Sequence, residues 1–277
     1  MSISLTGLEG KTAIVTGAGR MRSIGRPIAV TLAKAGCNVV LTGTGRPPER
    51  YPEEERAAGW RDIDSVAGEI RALGRRALPV VSDVSNAEAV NALIEQVTRE
   101  FGGIDVLVNN AGATRGTDRV PITTLAISEW HRVVDTNLHG TFYMSRVCAQ
   151  HMISQGHGGS IVNISTLGAR LLAAETGAYA ASKAAINALS TVMAAELGRH
   201  QIRVNAVCPG IIDTSRLDDI GRGEMWAGML KTFVPLGRAG TGEDVAHMVA
   251  FLCSDQGAWI TGQHLYVDGG HSFTPQR

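Results

Sequence analysis

Short apolar runs alternate with longer stretches of helical period along almost the whole chain. The runs suit parallel strands, because strands covered on both faces are apolar at nearly every position. Such strands are predicted at 12–15, 39–41, 78–81, 106–108, 161–164, 204–207 and 265–267, and helices at about 25–35, 64–73, 86–101, 128–153, 177–197 and 243–252. This alternation predicts an α/β fold, a Rossmann-type doubly wound parallel sheet of about seven strands, with helices on both faces in three layers.

Two stretches interrupt the alternation, although no repeat or linker divides residues 1–277, which we expect to form a single domain. Residues 46–62 are rich in proline and charge, which is typical of an exposed insertion. Residues 214–234 carry several large apolar side chains beyond the sixth strand, at the edge where ligands bind in open α/β sheets. We expect this second stretch to be a lid over a substrate.

Composition narrows the class of protein. The 277 residues include 26 basic and 26 acidic side chains, without a block of like charge, so neither a nucleic-acid partner nor a membrane is expected. The four cysteines are scattered singly, which indicates reduced thiols in a cytoplasmic protein and no metal site. The residues before Lys11 lack the pattern of a secretory signal, and no apolar run is long enough to predict a membrane span.

The segment after the first predicted strand is rich in glycine. It reads TGAGRMRSIG over residues 16–25 and leads directly into a helix. Glycines let the backbone turn sharply and approach a pyrophosphate, while the helix N-terminus offers unpaired N–H groups and a favourable dipole. The segment therefore predicts a phosphate-binding loop, although a glycine-rich segment alone can also be a simple tight turn.

Further motifs follow the later strands in a fixed order. They are Asp83-Val84, Asn109-Asn110-Ala111-Gly112, Asn137, Asn163-Ile164-Ser165-Thr166, Tyr179 with Lys183, Pro209 to Thr214, and Val267-Asp268-Gly269-Gly270. Their order and spacing resemble the short-chain dehydrogenase/reductase family over essentially the whole chain, and its 3-oxoacyl-carrier-protein reductases in particular. The first loop departs from the family pattern, because two additional residues intervene and Ser23 stands where a glycine is usual. Serine can cap the helix and offer its hydroxyl to a phosphate.

The resemblance implies one dinucleotide-binding and catalytic domain with an NAD(P)(H) site. The implied cofactor residues are Gly17, Arg22, Ser23, Ile24, Gly25, Thr44, Arg46, Asp83, Val84, Asn110, Ala111, Gly112, Tyr179, Lys183, Pro209, Gly210, Ile212 and Thr214. An acid at the end of the second strand would bind a ribose 2′-hydroxyl and repel a 2′-phosphate. No acid stands there, Arg46 lies within reach, and Arg22 precedes Ser23 as in many NADP-using members of the family. We therefore expect NADP(H); NAD(H) is the alternative if Arg46 only begins a solvated loop.

Tyr179 and Lys183 are four residues apart on a predicted helix, so their side chains share one face. An ammonium beside a phenol stabilises the phenolate that general acid–base catalysis by tyrosine requires. The resemblance implies Tyr179 as the general acid and base, and Asn137 as the residue that holds a water beside Lys183. The alternative for Asn137 is a helix residue that binds its own backbone.

A hydroxyl must also bind the substrate oxygen. An ungapped alignment of Asn163 and Tyr179 with the family pattern puts Thr166 at this position, and threonine has the donor and acceptor capacity that is needed. Ser165 takes this role instead if the following loop holds one extra residue. Thr166 is the expected catalytic hydroxyl.

These residues predict an oxidoreductase (EC 1.1.1.-) that interconverts a ketone and a secondary alcohol by hydride transfer. A 3-oxoacyl thioester is one candidate substrate, and a small or medium apolar ketone is another, because residues 150–155 lack a basic patch for an acidic carrier. Leu167, Trp226, Met229 and Phe233 are candidates for apolar walls, or they pack in the ordinary way.

Two other functions are weighed against this reaction. Enoyl reduction is disfavoured, because its enzymes carry a lysine seven residues after the tyrosine and Ile186 stands there. A redox sensor that binds the cofactor without turnover is disfavoured, because neither the tyrosine nor the lysine is lost. Alanines on the predicted catalytic helix leave a flat surface, and together with the resemblance they predict a homotetramer or homodimer.

Overall fold

The computed structural model describes residues 4–273. In this range all seven strands are parallel and follow the order β3-β2-β1-β4-β5-β6-β7. They are β1 (Thr12–Val15), β2 (Asn38–Gly43), β3 (Ala77–Val81), β4 (Val106–Asn109), β5 (Gly159–Ile164), β6 (Ile202–Pro209) and β7 (His264–Val267). The predicted strands are confirmed to within two residues at each end, and the Rossmann-type α/β fold is confirmed with them.

Nine α-helices connect these strands within the described range. They are α1 (Gly25–Lys34), α2 (Glu53–Ala57), α3 (Ile63–Ala72), α4 (Ala87–Phe101), α5 (Ile127–Val134), α6 (Gly140–Gln155), α7 (Gly177–Leu197), α8 (Glu224–Phe233) and α9 (Gly242–Cys253). A π-helical turn, Asp135–His139, joins α5 to α6, so the helix predicted at 128–153 is continuous but locally widened. Helices α2 and α8 lie in the two stretches that interrupt the sequence pattern.

Alternate residues of the strands supply the two cores. On β1, Ala13 and Val15 pack with α1, α3 and α9, whereas Ile14 packs with α4, α6 and α7. Successive side chains of a strand point to opposite faces, so an apolar strand must be covered on both sides. The result is a three-layer arrangement with the sheet in the middle.

The neighbours of β1 create a crevice at the carboxyl edge of the sheet. The chain proceeds outward from β1 to β2 and β3, then returns to place β4 on the other side of β1. The loops that follow β1 and β4 therefore leave the sheet in opposite directions. In open α/β sheets this switch point is where a ligand binds.

Residues 46–62 pack onto the glycine-rich loop, and their prediction as an exposed insertion is wrong in part. Glu55 is fully buried and Asp62 is 7% exposed. Glu55 Oε1 accepts a hydrogen bond from Met21 N at 2.9 Å, and Trp60 Nε1 donates to a carbonyl of the same loop at 2.6 Å. The acids can be buried because backbone N–H and guanidinium groups compensate their charge.

Residues 214–234 form a 3₁₀ segment, Ser215–Ile220, followed by α8. Trp226 lies with Leu230 and Val234 in a small core of its own, so the packing alternative applies to this side chain. Among the helices of the described range, none is both long and apolar enough to cross a bilayer.

Candidate active site

A cleft of about 720 Å³ opens at the carboxyl edge of the sheet. It extends from the glycine-rich loop to the first turns of α7. The predicted cofactor residues that line it are Gly17, Arg22, Ser23, Ile24, Thr44, Arg46, Asp83, Val84, Asn110, Ala111, Gly112, Tyr179, Lys183 and Thr214. The remaining predicted residues, Gly25, Pro209, Gly210 and Ile212, do not line the cleft.

The glycines of the first loop are required by close backbone approach. Gly17 has φ of +66°, and a Cβ there would lie 2.7 Å from the Cα of Ala111. A Cβ on Gly25 would lie 2.5 Å from Asn110 Nδ2, which donates to two carbonyls of the loop. The loop is thereby fixed against the end of β4 and leaves open space for a ligand above it.

Ser23 lies one residue before the N-cap of α1, Ile24, and its hydroxyl still bonds the first turn of the helix. Its Oγ accepts a hydrogen bond from Arg26 N at 3.2 Å, in the first turn of α1, and donates to Arg20 O at 2.9 Å. The side chain also lines the cleft. This is a suitable position for a hydroxyl that contacts a phosphate at a helix N-terminus.

Arg22 and Arg46, the two arginines predicted to bind a 2′-phosphate, both form ion pairs within the protein. Arg46 lies 3.3 Å from Glu55 Oε2 and 3.2 Å from Asp62 Oδ1. Arg22 pairs with Glu54 at 2.9 Å and extends to two acids beyond β6. Sequence reasoning missed Arg20, which lines the same end of the cleft, although it lies in the same loop. Burial and the charge of Arg46 lower the pKa of Arg20, and this side chain has no ion pair with another described residue.

The Tyr179–Lys183 pair lies at the other end of the cleft, on α7. Lys183 is only 6% exposed, and its Nζ donates to Ile164 O at 2.7 Å. Burial, followed by the charge of Arg216, lowers the pKa of Lys183 to about 7. The amine of Lys183 is therefore held against the end of β5. With a pKa of about 7, its charged and neutral forms are similarly populated at neutral pH.

Asn137 lies in the π-helical turn and is fully buried. Its Oδ1 accepts from Ala113 N at 2.8 Å, and its Nδ2 donates to Ser182 Oγ at 3.0 Å. Ser182 in turn donates to Tyr179 O at 2.8 Å. A π-helical turn often marks a functional site, and here it brings the amide against α7 rather than into the cleft wall. Sequence reasoning did not identify Ser182 as its partner.

The two candidate hydroxyls differ in their hydrogen bonds. Ser165 Oγ donates to Lys183 O at 3.1 Å, so its proton is directed to α7. Thr166 Oγ1 accepts from Gly168 N at 3.2 Å, and no described acceptor takes its own proton. Ser165 contributes to the cleft wall and Thr166 does not. However, a Cβ on Gly168 would lie 3.6 Å from Thr166 Oγ1 and 4.0 Å from Tyr179 Cε1, so Thr166 and Tyr179 border the same space.

Two arginines that sequence reasoning missed lie on the tyrosine ring. The Cζ atoms of Arg119 and Arg216 are 4.4 Å and 5.1 Å from the centre of the Tyr179 ring. Both side chains line the cleft, whereas the expected apolar residues Leu167, Trp226, Met229 and Phe233 do not. The wall beside the tyrosine is therefore cationic.

Comparison with known proteins places this site in a family. A family model described as enoyl-(acyl carrier protein) reductase matches residues 17–272. The chain is 38% identical to a 3-oxoacyl-[acyl-carrier-protein] reductase of Staphylococcus aureus (94% of this chain, 97% of the relative). It is 36% identical to an L-rhamnose 1-dehydrogenase (NAD(P)(+)) of a Sphingomonas species (95% and 96%). A solved structure, acetoin dehydrogenase from Enterobacter cloacae, is 34% identical, covers 97% of this chain and 98% of its own, and has a TM-score of 0.79.

The chain therefore belongs to the short-chain dehydrogenase/reductase family. It is an NAD(P)-dependent oxidoreductase of alcohol and ketone groups, as the sequence predicts. The matches confirm the prediction of an enzyme and not the alternative of a cofactor-binding sensor without turnover.

Proposed function

We propose that Tyr179 is the general acid and base of a reversible ketone reduction. The observation that carries this proposal is the position of Tyr179 beside the buried amine of Lys183, in a cleft that reaches from the glycine-rich loop. When bound, the nicotinamide supplies or accepts the hydride. The Tyr179 hydroxyl donates its proton to the substrate oxygen during reduction and removes it during oxidation.

The neighbouring residues prepare that proton transfer. The protonated form of Lys183, one helical turn from Tyr179 on the same face of α7, places a cation on the tyrosine side of the cleft. Thr166 donates its unused hydroxyl proton to the substrate oxygen, while Asn137 fixes the backbone around α7 and, as proposed from the sequence, holds a water that exchanges protons with Lys183. A carbonyl rather than an enoyl substrate is proposed because the lysine follows Tyr179 by four residues, whereas the seventh position holds Ile186, which is buried.

Replacing Tyr179 by Phe tests the proposal. We expect kcat for ketone reduction to fall by at least about 100-fold, because the proton donor is lost, while affinity for NADPH, measured by fluorescence titration, changes little. The control is Tyr143→Phe, since Tyr143 lies on α6 outside the cleft wall. Thr166→Ala should also lower kcat, whereas Ser165→Ala should do so less. Normal turnover by Tyr179→Phe would contradict the assignment.

For the cofactor we propose NADP(H), bound at its 2′-phosphate by Arg20 and Arg46. Support comes from Arg20, a half-buried guanidinium without an ion pair in the described chain, beside Arg46 at the far end of the cleft. A phosphate between two guanidinium groups gains charge-assisted hydrogen bonds from both. Asp62 opposes this binding, because its carboxylate shares the same space with Arg46.

The ratio of kcat/KM with NADPH to that with NADH tests this preference. Arg20→Ala and Arg46→Ala should lower the ratio by about tenfold or more, since a charged contact to the phosphate is lost. Asp62→Asn should raise it, because a repulsive charge is removed. The control Arg99→Ala, on the exposed face of α4, should leave the ratio unchanged. A wild-type preference for NADH would contradict the proposal.

For the assembled protein we propose a homotetramer or homodimer in the cytoplasm. The support is the alanine-rich surface of α7 and the four free, buried thiols, which suit a reducing compartment. Sedimentation at micromolar concentration should give a mass that is two or four times that of the chain. A monomer would contradict the proposal.

A further inference from the structure

The cleft around Tyr179 holds two guanidinium groups close to each other. Arg119 and Arg216 both contact the Tyr179 ring, with Cζ atoms 4.4 Å and 5.1 Å from its centre. Burial lowers the pKa of Arg119, and the charge of Arg216 contributes to the same effect. Two guanidinium groups that contact the same ring in a half-buried cleft repel each other, so an anion bound by both would stabilise the arrangement.

The nearby acids do not supply that anion. Asp118 is 1% exposed, and its Oδ2 lies 3.4 Å from Arg119 Nε in an ion pair without hydrogen-bond geometry. Arg119 Nε is buried and has no hydrogen-bond partner within the described chain. Asp219 pairs with Arg115 at 2.7 Å, and Arg216 has no ion pair among residues 4–273. The terminal nitrogens of Arg119 and Arg216 therefore have no hydrogen-bond partner in the described chain, although Arg119 Nε itself is buried beside Asp118.

We propose that Arg119 and Arg216 bind a carboxylate of the substrate, so that the enzyme acts on short hydroxy acids and oxo acids. The inference rests on the proposed role of Tyr179. Guanidinium groups bind carboxylates through paired N–H···O bonds. Because both groups lie on the ring that handles the reacting oxygen, the carboxylate must be close to the reacting carbon. A neutral apolar ketone or a long acyl chain would leave Arg216 without an anionic partner and Arg119 with Asp118 alone.

A phosphate of the dinucleotide offers similar chemistry, so the experiment must separate the two sources. The glycine-rich loop and Ser23 form the predicted pyrophosphate site at the N-terminus of α1. Arg119 comes from the chain after β4, and its side chain stacks on Tyr179 at the other end of the cleft. The geometry therefore assigns Arg119 to the substrate, and the cofactor source becomes an outcome of the test.

The test compares short hydroxy acids with their methyl esters as substrates of the full-length protein, with NADP⁺ at saturation. We expect kcat/KM for the acids to exceed that for the esters by at least about tenfold. Arg119→Ala and Arg216→Ala should bring the ratio of kcat/KM for the acids to that for the esters close to one, mainly by raising KM for the acids. Arg119→Lys should retain part of the preference, and the exposed control Arg99→Ala should retain all of it.

A second measurement assigns the arginines to substrate or cofactor. Affinity for NADPH is measured by calorimetry without substrate for the wild type, Arg119→Ala and Arg216→Ala. Unchanged NADPH affinity together with a lost preference for acids supports the carboxylate site. Weakened NADPH affinity with the acid preference intact would assign both arginines to the cofactor and overturn the inference.

Failure of the substrate class and failure of the proposed reaction give different results. Equal turnover of acids and esters by the wild type would overturn the carboxylate site and leave the role of Tyr179 in place. If no compound is turned over, binding of a hydroxy acid to the cofactor complex is measured by calorimetry. Binding that Arg119→Ala abolishes would support the carboxylate site even though the proposed reaction had failed, and absence of binding would overturn the site as well.

Discussion

At the scale of single residues, the site depends on one buried amine. The i, i+4 spacing of Tyr179 and Lys183 could be predicted from the sequence, because a helix fixes which side chains share a face. The positions of Arg119 and Arg216 could not, because they come from different loops and meet only across the cleft. The hydrogen bonds on which the proposal of Thr166 rather than Ser165 rests also needed coordinates, because they show which hydroxyl proton is already used.

The lowered pKa of Lys183 predicts a pH dependence of stability. This pKa is about 7 in the folded protein, whereas an unfolded lysine has a pKa of about 10.4. Between these values the unfolded chain binds more protons, so the contribution of Lys183 to the free energy of unfolding increases as pH rises from about 7 to 10.

Lys183→Met should lack this contribution. Between pH 7 and pH 10 the free energy of unfolding of the wild type, measured by urea denaturation, should therefore increase by about 2 kcal/mol or more relative to that of the variant. A difference between the two proteins that stays constant over this range would contradict the buried, largely neutral amine.

At the scale of elements, the strands were predictable and the insertion was not. Apolar runs such as that of β6 mark a strand because both faces are buried, and the prediction differed from the structure by only two residues at each end. The charges of residues 46–62 look solvated in the sequence. In the fold, however, Arg46, Glu55 and Asp62 neutralise one another against the glycine-rich loop, whereas most other charged side chains of the stretch are exposed.

The burial of Glu55 predicts that residues 46–62 contribute to the free energy of unfolding. Its carboxylate is fully buried and receives hydrogen bonds from Met21 N and from Arg46. Glu55→Ala would leave a half-buried guanidinium with one acid instead of two, and we expect the free energy of unfolding to fall by about 3 kcal/mol. Chemical denaturation measures this, with Glu53→Ala on the exposed side of α2 as the control. Equal effects of the two substitutions would contradict the structure.

At the scale of the whole molecule, the reactivity of the four cysteine thiols indicates whether the three layers are intact. Cys37 and Cys253 belong to one core and Cys148 to the other, while Cys208 lies on β6 between them. Burial raises the pKa of Cys37 and Cys253 to about 12 and that of Cys208 to about 11. A thiol reacts as its thiolate, so both access and ionisation oppose modification.

Labelling by a thiol reagent at pH 8 should accordingly be slow in the native protein. We expect all four thiols to react at least about 100-fold more slowly than free glutathione, and to become equally reactive in denaturant. Mass spectrometry counts the modified residues over time. Rapid modification of one cysteine in the native protein would contradict its burial.

Arg22 fastens three segments that are far apart in the sequence. Its guanidinium contacts Glu54 of the insertion, and Asp213 and Asp218 from the chain after β6, while its backbone belongs to the glycine-rich loop. A single guanidinium group thus joins the three segments that surround the nucleotide crevice. Salt screens these partly exposed ion pairs, so we expect the three segments to loosen together, and the dinucleotide to bind more weakly, as ionic strength rises.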